Sequence, residues 1–115
     1  MKVKTKYLKI ISDIHTPVGV YLKLRDLYSK IFLLESSDYK GSENSLSFIC
    51  FDSKAQFSVH NDIVKMSFDS KELKNKIETD KGVSYHLNKF INQFKVEKNE
   101  FEYPSNGLFG YISYD

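Results

Sequence analysis

The chain has 115 residues, of which 41% are hydrophobic and 28% charged, and its 17 basic and 15 acidic side chains give a formal charge of +2. That length predicts a single domain, 1–115, with a real core and excludes a large enzyme. The balanced charge, with lysines spread among Glu and Asp, excludes the clustered basic surface of a nucleic-acid binder.

Cys50 is the only cysteine, which rules out an intrachain disulfide and fits a reducing cytoplasm. No N-terminal apolar stretch resembles a signal peptide, and no apolar run is long enough to span a membrane.

In chain order, Lys2–Ile11 interleaves lysines at 2, 4, 6 and 9 with Val3, Tyr7, Leu8, Ile10 and Ile11, and reads as an edge strand or extended arm. Ser12–His15 connects it to Thr16-Pro17, a helix start: threonine can cap, and proline at the first helical position gives up no needed donor. The spacing carries that helix to about Tyr28, with Val18, Tyr21, Leu22, Leu24 and Leu27 inward and Lys23, Arg25 and Asp26 outward. Ile31-Phe32-Leu33-Leu34 is an unbroken apolar run closed by Glu35-Ser36-Ser37; it is too short for a helix and reads as a strand buried on both faces. Ser37–Asn44 is a turn-rich loop, and Ser45–Phe51 becomes a central strand antiparallel to the first.

Gln56–His60 and Ile63–Phe68 alternate apolar and polar residues around Asn61-Asp62, the pattern of a hairpin. Ser70–Thr79 reads as a short helix, with Leu73 and Ile77 four apart. Lys81–Lys95 is the clearest amphipathic helix, with Val83, Leu87, Phe90, Ile91 and Phe94 on one face and His86 on the polar side. Glu97–Ser105 is a polar connector, and Gly107–Tyr114 reads as a final strand with glycines that allow close approach or a bulge. Strands gathered between two helices, without regular βαβ alternation, predict an α+β fold: a mainly antiparallel sheet with helices packed on one face.

Few residues offer chemistry. His15, His60 and His86 have no metal-ligand spacing, Cys50 sits inside an apolar strand, and there is no phosphate-binding glycine loop. Phe48, Phe51 and Phe57 lie at core spacing. What remains is the end of the Ile31–Glu35 strand. Glu35 can accept from an ammonium group and Ser36 can donate or accept, so the pair suits a zwitterion; a charge-assisted hydrogen bond there contributes about 1.5–3 kcal/mol.

Three stretches then act together: T-P-V-G-V-Y-L-K-L at 16–24, F-L-L-E-S-S-D-Y at 32–39 followed by S-L-S-F-I-C-F-D at 45–52, and N-G-L-F-G-Y-I-S-Y-D at 106–115. In this order and spacing they resemble the N-terminal region of anthranilate synthase component I. The resemblance covers about 16–115, and L-L-E-S and G-L-F-G-Y-x-S-Y-D are its specific parts. It implies the N-terminal part of a larger two-layer chorismate-utilising enzyme fold, with the catalytic C-terminal part outside these residues.

Family members convert chorismate to anthranilate with ammonia from a glutamine amidotransferase subunit, component II, and require Mg²⁺, whose ligands lie in the C-terminal half. The resemblance implies a feedback site for tryptophan at Leu34, Glu35 and Ser36, and no catalytic residue here, so the 115-residue chain alone is expected to be inactive. Some members use a basic residue just before the second strand; this chain has Asn44-Ser45-Leu46 there, with Lys40 earlier. Family proteins are several times longer, so a fragment is expected, with Gly107–Asp115 as an unpaired edge through which it self-associates. Aminodeoxychorismate synthase-like relatives share the local motif, and a stand-alone small-molecule-binding or interaction domain is the reading outside the family.

Overall fold

A computed structural model describes residues 1–35, 46–103 and 106–113. These carry seven strands and two helices: β1 (Lys2–Val3), α1 (Pro17–Leu24), β2 (Ile31–Glu35), β3 (Ser47–Phe51), β4 (Ala55–His60), β5 (Ile63–Phe68), β6 (Lys71–Lys76), α2 (Val83–Ile91) and β7 (Lys95–Val96). The fold is α+β, and most of its strands lie in antiparallel sheets. The strands do not join into one sheet: β1 pairs with β7, β2 with β3, and β4, β5 and β6 form a third sheet in that order. The chain gathers into two compact units, one from Met1–Tyr7 and Lys54–Asn106, the other from Leu8–Ser53 and Gly107–Asp115.

The first unit has a closed core. β5 alternates strictly, and Val64, Met66 and Phe68 face inward against Phe90 of α2. Phe90 is 0% exposed, and its ring lies 5.5 Å from Phe57, 5.2 Å from Phe68 and 5.2 Å from Phe94. The expected hairpin forms with His60 opposite Ile63. Asn61 and Asp62 both have positive φ, 49° and 61°, which a two-residue turn of this hand demands. A parallel contact closes the unit: Lys2 and Val3 pair with Lys95 and Val96.

Residues 71–76, expected as part of a helix, form β6 instead. K-E-L-K-N-K has good helix formers, yet the far edge of β5 carries backbone donors and acceptors that need partners, and six registered pairs from Phe68↔Lys71 to Ile63↔Lys76 satisfy them. All six β6 residues are exposed and three are lysine, as suits a guarded sheet edge. Glu72 crosses diagonally to Lys65 at 3.1 Å and lies 3.6 Å from Lys74, which holds its carboxyl below the usual carboxylate range, chiefly through the Lys65 hydrogen bond.

The buried stripe of α2 also differs from the expected one. His86 and Phe90, four apart, are its buried residues, while Val83 and Ile91 stay largely exposed. The helix is rotated so that His86 faces inward rather than lying on the polar side.

In the second unit Thr16 caps α1 as expected, its hydroxyl accepting from the Gly19 amide at 3.0 Å. The helix ends at Leu24, and two hydrogen bonds to the Leu24 carbonyl, from Leu27 and Tyr28, continue it as a turn. Its inward residues are Val20, Tyr21 and Leu24, whereas Val18, Leu22 and Leu27 are exposed. β2 is half-buried, not buried on both faces, and Phe32 is 37% exposed. The reason is geometric: β2 has one strand neighbour, β3, with α1 packed against the pair, and nothing described covers its other edge. β3 is likewise one of a pair and not a central strand. Residues 107–113 form no strand; Ile112 is 95% exposed, and only Phe109 packs, its ring 5.4 Å from Phe48. The ladder edge expected at 107–115 is therefore not formed by its described residues.

Candidate functional site

The end of the β2–β3 pair is set by register. Five consecutive pairs run from Ile31↔Phe51 to Glu35↔Ser47, so Leu34 lies opposite Phe48 and Glu35 opposite Ser47. The apolar run of β2 and the S-F-I-C-F of β3 hold this register because each places a large apolar side chain across from another. α1 rests on both strands, and Tyr28, just after it, stacks its ring 4.7 Å from that of Phe51 at the opposite end of the pair.

Of the three expected site residues, the structure brings Leu34 and Glu35 to this end, half-buried and exposed respectively. Ser36 lies outside the described residues, as do Lys40, Asn44 and Ser45 of the loop that follows. Among the described residues no ion pair reaches the Glu35 carboxylate. Three further residues at this end are not legible as site neighbours in the sequence. Ser47 brings a hydroxyl to the position across from Glu35, and its place in the alternating start of S-L-S-F could have signalled that. Phe48, the register partner of Leu34, carries the Phe109 ring against it, legible only once the last motif is known to fold back onto β3.

The end thus presents an exposed carboxylate with a hydroxyl across the ladder on one face of the pair, and Leu34 with the Phe48–Phe109 rings on the other. A carboxylate and a hydroxyl can hold an ammonium group, and the other face can take an apolar or aromatic side chain. Burial pushes the Cys50 thiol up, and it points to no nucleophile.

The other chemistry is sparse. Among the described residues no group of three His, Cys, Asp or Glu side chains could hold a metal ion. His15 and His60 are exposed. Two shallow depressions lie along α2 in the first unit, and neither is lined by Leu34 or Glu35. No described helix is long and apolar enough to cross a membrane.

With this geometry in place, comparison with known proteins adds no relative: no family model matches the chain, and neither the curated proteins nor the solved structures give a match.

Proposed function

We propose that this chain is the N-terminal, tryptophan-sensing part of an anthranilate synthase component I, a cytoplasmic enzyme that converts chorismate to anthranilate with a glutamine amidotransferase partner. One observation carries the reading. The three stretches that resemble the family gather in one compact unit: the first supplies α1, the second supplies β2 and β3, and the third lays Phe109 on Phe48. Lys54–Asn106, of which only Asn106 belongs to one of the stretches, falls wholly in the other unit.

In this reading the Glu35 carboxylate accepts from the α-ammonium of tryptophan and Ser36 and Ser47 supply hydroxyls, with Leu34 and the Phe48–Phe109 pair packed on the other face of the strand beneath them. The remaining contacts come from the C-terminal catalytic half, which also holds Mg²⁺. Inhibition is a population shift: tryptophan binds an inactive arrangement of the two halves more tightly, with a coupling of about 1–3 kcal/mol.

The test is product identification. The full-length gene product, mixed with its amidotransferase subunit, chorismate, glutamine and Mg²⁺, should form fluorescent anthranilate, and tryptophan should suppress it. Aminodeoxychorismate as the product, or anthranilate formation indifferent to tryptophan, would overturn the assignment.

A further inference from the structure

After α2 the chain passes from the first compact unit to the second at the peptide bond between Asn106 and Gly107. Asn106 is the only asparagine in the sequence that glycine follows. Both residues are exposed. The pairing carries chemistry of its own, because a glycine nitrogen has no neighbouring Cβ to shield it from the side-chain carbonyl of the asparagine before it.

The fold does not call for this glycine. A Cβ built at Gly107 meets only Phe109 Cε2, at an ordinary 3.9 Å, and the backbone there is not in the left-handed region. Among the described residues no backbone carbonyl accepts from the Gly107 amide, so its nitrogen is not tied into a turn or ladder. Asn106, by contrast, is held. Its Nδ2 donates to Thr5 Oγ1 at 2.7 Å, and Thr5 is half-buried in the lysine-bearing segment at the start of the chain.

We propose that Asn106–Gly107 is a self-modification site, where the chain converts its own asparagine to aspartate and isoaspartate at a rate set by Thr5. The Gly107 amide gives its proton to solvent base, and its nitrogen attacks Asn106 Cγ. The Cγ–Nδ2 bond breaks, Nδ2 takes up a proton and leaves as ammonia, and a succinimide ring closes. Water then opens the ring. Opening at Cγ leaves aspartate, whereas opening at the main-chain carbonyl routes the chain through the side chain and adds a methylene at the junction of the two units. Asparagine and water thus give a carboxylic acid and ammonia, and nothing is oxidised or reduced. The product carboxylate adds one negative charge to a chain of formal charge +2. The Thr5 bond restrains the rotation that brings Cγ over the Gly107 nitrogen, so conversion waits on its opening. The site is independent of the tryptophan reading.

The experiment is a timed incubation of the 115-residue chain in mildly alkaline buffer, read by peptide mass spectrometry and by methylation with an isoaspartyl methyltransferase. The peptide that holds Asn106 should gain about one dalton and become a methyl acceptor. Gly107→Ala, for which the fold has space, should slow the conversion severalfold, because the methyl group crowds the attacking nitrogen. Thr5→Val should speed it by about two- to twelvefold, the factor that corresponds to one neutral hydrogen bond, and Thr5→Ser should restore the parent rate. In concentrated urea, where the Thr5 bond is gone, the parent and Thr5→Val should react alike. Absence of conversion at Asn106, conversion indifferent to Gly107→Ala, or equal rates for the folded parent and folded Thr5→Val would overturn the proposal.

Discussion

Replacing Phe90 with alanine should remove most of the stability of the unit that contains it. The side chain is wholly enclosed by Val64, Met66 and Phe68, with Phe57 and Phe94 against its ring. Truncating a buried phenylalanine costs about 3–5 kcal/mol, because the transfer free energy is lost and the cavity collapses only in part. A unit of about 60 residues has a total stability of about 3–9 kcal/mol at the usual 0.05–0.15 kcal/mol per residue. Phe90→Ala is therefore expected to lie between about one-third depleted and unfolded at 25 °C. Urea denaturation followed by far-UV circular dichroism measures it, with Phe90→Leu as the smaller truncation, expected to lose less than Phe90→Ala because it leaves a smaller cavity. A loss below about 1 kcal/mol in Phe90→Ala, with an unchanged denaturant slope, would refute the reasoning, since it would mean that the ring is not enclosed.

Three smaller outcomes follow from local geometry. Asp62→Gly should raise the melting temperature, because Asp62 holds φ at 61° and a left-handed conformation costs a non-glycine residue about 1–2 kcal/mol; Asp62→Val should lower it, and equal melting points would contradict the turn assignment. Thr16→Ala should cost about 0.5–2 kcal/mol through loss of the cap to the Gly19 amide, read by thermal denaturation, and no change would show that the cap is idle. Burial raises the Cys50 thiol, so the fold favours the neutral form: its contribution to stability is full below the unfolded thiol's pKa and is lost as pH rises toward the folded value. Alkylation of native Cys50 should be slower than that of a free thiol, with its pH profile displaced upward, and a free-thiol rate would contradict the burial.

The strands legible in the sequence are those whose pattern matched a single physical demand. Ile63–Phe68 alternates and was bounded correctly, and Asn61-Asp62 announced its hairpin. Thr16-Pro17 announced its helix. What the sequence hid depended on partners. K-E-L-K-N-K has helical propensity and became a strand because β5 offered an edge. I-F-L-L has the apolarity of a doubly covered strand but found only one strand neighbour. G-L-F-G-Y-I reads as a strand, yet it pairs with nothing in its described residues and contributes one ring to the site. Phe90 is buried as its place on the apolar face predicts, but His86 reads as polar-faced beside Val83 and Ile91, and packing turns the helix so that His86 goes inward while those two are exposed. At the candidate site Leu34 and Glu35 were readable from the abrupt end of an apolar run. Ser47 and Phe48 were not, since only strand register sets them beside that end.

The central claim rests on Glu35 as the residue that meets the ammonium group of tryptophan. The most direct measurement is the tryptophan inhibition constant of full-length Glu35→Ala against the parent enzyme, with turnover of chorismate measured in the same assay. Loss of a charge-assisted hydrogen bond, about 1.5–3 kcal/mol, predicts inhibition weakened by about tenfold to a hundredfold with turnover preserved. An unchanged inhibition constant would contradict the account.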